Sequence, residues 1–162
     1  MADPLHTYLN DHLGGATMGR DLARTLAERR AGTPTGPEME RVAREIADDR
    51  DTLEAIMARV GARRNPAKRV MGWVMERAAR PAMATRSGAP DPLGELRAFE
   101  MLSVGVEGKR CLWEGLRTLT EAVPALRGTD YDDLLTRARA QRAWLEEQRL
   151  AATGRVGAAG GR

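Results

Sequence analysis

The chain has 162 residues, enough for one domain with a sizeable core, and its 42% hydrophobic and 30% charged content is globular rather than disordered composition. The single cysteine, Cys111, excludes an internal disulfide and a cysteine zinc cluster, and no apolar run reaches the roughly 18 residues of a membrane span. The net charge of +3 is local, because residues 61–80 hold six basic side chains against Glu76; a basic segment is indicated, a surface for specific nucleic-acid binding is not.

Aromatic residues make up only 4%, and the excess of Ala, Leu, Arg and Glu favours helix over sheet. The first helix is predicted to open at Asp3-Pro4, an N-cap followed by a proline whose missing N–H costs nothing there. It runs to about Arg30 and stops at Gly32. Leu5, Leu9, Ala16, Ala23 and Leu26 share one face, with His12 and Gly19 among them. The short Gly32-Thr33-Pro34 connection makes the second helix antiparallel to the first. That helix opens with Thr35-Gly36-Pro37-Glu38, which has capping-box spacing, and ends at Gly61. Its seam, Met39, Val42, Ile46, Asp49, Leu53, Ile56 and Val60, alternates steps of three and four and is broken only by Asp49.

A long connection follows, far beyond the usual helix–helix loop. Asn65-Pro66 starts a short amphipathic helix that must end near Arg80, ahead of Pro81, and the remainder reads as extended loop. Such a crossover can travel the length of a bundle, about 38 Å for a helix of roughly 25 residues, and lets the second and third helices run parallel. The third helix is capped by Asp91-Pro92 and ends before Pro124. The fourth starts near Thr129 or Asp130 and carries Tyr131, Leu134, Leu135, Ala138 and Leu145 inward, with Gln141, Arg142 and Gln148 at or beside that seam. Residues 1–152 then form a single helical-bundle domain, and 153–162, which lack hydrophobic periodicity, a flexible C-terminal tail.

Two short connections flanking one long crossover is the connectivity of ferritin-like bundles. The stretches YLNDHLGGATMGRDLA, EIADDRDTLEAIMARVG and FEMLSVGVEGKRCLW carry a further resemblance: the chain resembles a bacterial branch of the ferritin-like superfamily over nearly all of Leu5–Ala151. The resemblance implies an all-α, ferritin-like four-helix bundle whose crossover between helices two and three holds one short extra helix. Metal-using members of that superfamily place a Glu on each of two helices and a Glu-x-x-His pair on each of the others. This chain has no Glu-x-x-His, and His6 and His12 are its only histidines. A di-iron carboxylate site and its oxidase chemistry are therefore not expected.

The remaining inward polar residues are His12, Asp49, Glu100 and Glu107. The two glutamates are two turns apart on a face shared with Leu93, Leu96, Ser103, Val104 and Cys111, where the thiol is expected to be buried and inert. A buried carboxylate needs a partner. One reading is an internal network in which His12, Arg20, Lys109, Arg110 or Arg142 meets Asp49 and the glutamates. The other is an atypical divalent-metal site with His12, Asp49, Glu100 and Glu107 as ligands. Gly14, Gly15, Gly19, Gly105 and Gly108 suggest close helix approach or room for a tryptophan. In the crossover helix, Arg69, Arg77 and Arg80 form a basic patch beside an apolar stripe, a candidate contact for an anionic membrane surface or an acidic protein. The expectation is a cytoplasmic, non-catalytic binding or assembly module without a cofactor, with homodimer formation as a further expectation and no signal peptide at the N-terminus.

Overall fold

The computed structural model describes residues 3–64 and 91–160. Among these it forms four α-helices and no strand: α1 (Pro4–Arg30), α2 (Gly36–Arg59), α3 (Pro92–Thr118) and α4 (Tyr131–Gly160), with a 3-10 turn at Pro124–Leu126. The crossover, with Arg69, Arg77 and Arg80, lies outside the described residues.

The helix ends follow local chemistry. The Asp3 carboxylate accepts from the Leu5 N–H and that of Asp91 from the Gly94 N–H, each at 2.8 Å. The expected capping box at Thr35 does not form. The Thr35 hydroxyl instead accepts from the Arg30 guanidinium at 3.0 Å, and Glu38 pairs with Arg41 one turn on at 3.1 Å. Gly61, at φ 73°, ends α2 as expected, and the Ala62 N–H reaches back to the Met57 carbonyl at 2.9 Å. A side chain at Gly36 would place its Cβ 2.4 Å from the Arg30 carbonyl oxygen, so the α1–α2 loop closes around glycine. The fourth helix does not stop at Ala152: residues 153–160 are helical where a tail was expected. Ala152 is buried and Arg155 donates to Glu95 of α3 at 2.6 Å, which anchors a last stretch that has no apolar face of its own.

Pairings between helices set their directions. Arg30 at the end of α1 meets Glu95 at the start of α3 (2.7 Å), so these two run antiparallel. Arg155 with Glu95, Arg149 with Glu100 (4.0 Å), Arg142 with Glu107 (3.7 Å) and Arg117 with Asp132 (2.6 Å) form an antiparallel ladder between α3 and α4. Gln141 meets Glu45 (2.9 Å) and Arg137 meets Asp49, so α4 also runs antiparallel to α2. It follows that α2 and α3 share one direction. The chain leaves α2 at one end of the bundle and enters α3 at the other.

The core divides into two apolar clusters. One gathers Leu9, Leu13, Leu53, Ile56, Leu112, Trp113, Leu116 and Leu135. The other gathers Leu26, Met39, Val42, Ile46, Phe99, Leu102, Val106 and Leu145. The α2 seam is buried as expected from Met39 through Ile56, with Val60 partly covered. The α3 face is not the expected one. Leu93 and Val104 are exposed, and the buried seam is Phe99, Leu102, Val106, Trp113 and Leu116. Each residue turns the helix by about 100°, and the true face lies more than a quarter turn from the predicted one. The two aromatic rings carry the greatest apolar area on α3 and so decide which side goes inward.

Candidate functional site: the charged centre of the bundle

The buried face of α3 steps by threes and fours through Phe99, Leu102, Val106, Trp113 and Leu116, with part-buried Lys109 between Val106 and Trp113 and buried Ser103 beside Leu102. That of α2 does the same, with Asp49 as its polar step. The α4 seam of Leu134, Ala138, Leu145 and Ala152 includes Gln141 and Gln148. Because α2 and α3 run the same way, Asp49 and Lys109 reach the same level. Asp49 stands between Ile46 of one apolar cluster and Leu53 of the other, and Lys109 between Val106 and Leu112. A polar layer thus separates the two halves of the core.

In that layer Asp49 is 1% exposed, and each of its oxygens is held by a cation, Oδ2 by Lys109 Nζ and Oδ1 by an Arg137 guanidinium nitrogen. Lys109 also donates to Gln141 Oε1 at 2.6 Å, and the Gln141 amide donates onward to Glu45 Oε2 at 2.9 Å. Glu45 is met by Arg41, which in turn pairs with Glu38 near the surface. Three carboxylates face three cations along this chain, so it carries no net charge. Burial pulls the Lys109 ammonium below the usual lysine range, and the Asp49 carboxylate beside it pulls the other way. An amine held between a carboxylate and an amide oxygen remains a donor. Asp49, buried and with a cation on each oxygen, has its charge met from within the chain.

The four residues expected at the centre divide. Asp49 is there. Glu100 and Glu107 are not: they sit on the α3–α4 rim, half or nearly half exposed, facing Arg149 and Arg142. Glu107 is also gripped by Arg110 at 2.8 and 3.0 Å, which holds its carboxyl below the ordinary range. His12 is half-buried on α1 with its ring edge-on to Tyr8, centroids 4.6 Å apart, and burial pulls its pKa down. Among the described residues no three His, Cys, Asp or Glu side chains converge to hold a metal ion, so the expected ligand set is not brought together. Cys111 is exposed rather than buried, a consequence of the same α3 rotation. Of the expected counterions, Lys109 does meet Asp49 and Arg110 meets Glu107, whereas Arg20 pairs with its neighbour Asp21 at 2.9 Å. Arg137 was not anticipated. Its one available signal was a basic residue beside the α4 seam, one turn before Gln141.

Fold and centre together define an all-α four-helix bundle whose interior carboxylate is neutralised by the chain's own cations. No helix among the described residues is long and apolar enough to cross a membrane. Comparison with protein-family models, with curated proteins and with solved structures gives no match to this chain.

Proposed function

We propose that this protein is a non-catalytic helical scaffold of ferritin-like connectivity, a binding or assembly module in which an internal ion pair occupies the place of a metal centre. The observation that carries this reading is Asp49, clamped between Lys109 and Arg137 in the polar layer. A lysine ammonium next to the most buried carboxylate repels a divalent cation and already supplies the charge that such a cation would contribute. The shared direction of α2 and α3 supports the connectivity. The other carboxylates that could complete a ligand set lie on the rim with arginine partners of their own.

The test is elemental analysis of protein purified without an affinity tag or chelator, together with a ferrous-iron oxidation assay. The expected result is far less than one iron, manganese or zinc per chain and no oxidation above buffer. Stoichiometric metal with ferrous oxidation overturns the proposal.

A further inference from the structure

A groove of about 850 Å³ runs between α1 and α2 near their connecting loop, lined by half-buried Ala27, Ala43 and Ala47 and by exposed Ala31 at its loop end. The register of the two helices places its lining. Thr17 stands beside Arg50, joined at 3.2 Å, and Gly36 beside Ala31. Counting inward from those two points puts Ala47 level with Arg20, Arg44 level with Arg24, and Glu40 level with Glu28. The groove therefore has a basic belt, Arg24 with Arg44, and one turn nearer the loop an acidic belt, Glu28 with Glu40. The four alanines lie two on either side of the boundary between the belts. Ala27 and Ala43 are the two nearest that boundary.

We infer that this groove is a self-association face that takes a second copy of the chain in antiparallel orientation. A two-fold axis in the plane of the face, crossing the helices between the belts, sets the basic belt of each copy on the acidic belt of the other. The same operation brings Ala27 and Ala43 each close to its own counterpart at the centre of the face, where small side chains let helices approach closely. A parallel arrangement would oppose Arg to Arg and Glu to Glu. Within one chain Arg24 meets Glu28 at 3.9 Å and Arg44 meets Glu40 at 2.9 Å, with all four side chains more than 60% exposed. Exposed helix pairs of this kind contribute little to stability, so re-pairing across the two-fold displaces little. This inference deepens the assembly reading and rests on it, by naming the partner as another copy.

Sedimentation or light scattering of the full chain over a range of concentrations tests it, with charge-reversed variants. Wild type is expected to be a dimer that weakens with salt. The variants Arg24→Glu/Arg44→Glu and Glu28→Arg/Glu40→Arg are each expected at monomer mass with unchanged helical circular dichroism. An equimolar mixture of the two is expected to regain dimer mass, because the four belt positions are then all acidic on one face and all basic on the other. A wild type that stays monomeric, or variants that stay dimeric, overturns the inference. Neither outcome bears on the metal and oxidation assays, so the scaffold reading fails on separate measurements.

Discussion

Asp49 concentrates the energetics at the scale of single residues. Its two oxygens neutralise Lys109 and Arg137, so removing it leaves two cations in a partly dry layer. Breaking a buried pair from one side typically costs about 3–5 kcal/mol, and Asp49→Ala is expected in that range by chemical denaturation. Lys109→Met should cost clearly less, because Arg137 still holds the carboxylate. The double variant Asp49→Leu/Lys109→Met should recover much of the Asp49→Ala loss, since apolar replacement of both partners removes the desolvation cost together with the attraction. His12 makes a separate prediction. Its folded pKa is pulled below the unfolded one by burial, so its contribution is fully present above the unfolded value and is lost as pH falls toward the folded value. The lowered carboxyls of Glu107 and Glu146 act only at more acid pH. Melting temperature should therefore drop between about pH 7 and pH 5 in wild type and drop less in His12→Gln.

Individual helices were legible to different degrees. The α2 seam was readable because it presents a single apolar stripe, and one charged residue in an otherwise regular series stands out. Two stripes compete on α3: one through Leu93, Leu96 and Val104, the other through Phe99, Leu102, Val106, Trp113 and Leu116. Periodicity shows that a stripe exists but not which one meets neighbours. The misread face carried Glu100, Glu107 and Cys111 inward with it. Helical glycines were also misread as sites of close packing. At Gly14, Gly15, Gly19, Gly105 and Gly108 an added Cβ meets nothing within 4 Å. Gly105→Ala should raise stability by about 0.5–1 kcal/mol through helix propensity alone. Gly36→Ala should lower it, since its Cβ strikes the Arg30 carbonyl. Thermal melts of the two variants check the opposite signs.

Across the whole molecule, the polar layer and the direction of α2 and α3 are one fact seen twice. With those helices running the same way Asp49 and Lys109 fall at the same depth, and their α4 partners, Arg137 and Gln141, arrive from the antiparallel neighbour. An arrangement that parted Asp49 from both Lys109 and Arg137 while keeping it buried would cost several kcal/mol. The charged layer thus opposes misassembly, while the apolar clusters on either side supply the drive to collapse.

The sequence by itself determined the four long helices of the described residues, the caps at Asp3 and Asp91, the stop at Gly61, the buried position of Asp49 and the length of chain between α2 and α3. These depend on neighbours along the chain or on one unambiguous stripe. Only the tertiary structure decided which face of α3 turns inward, that residues 153–160 continue α4, and that Arg137, 88 residues from Asp49, completes its clamp. Those outcomes depend on which surfaces the other helices offer, and a single helix read alone carries no record of them.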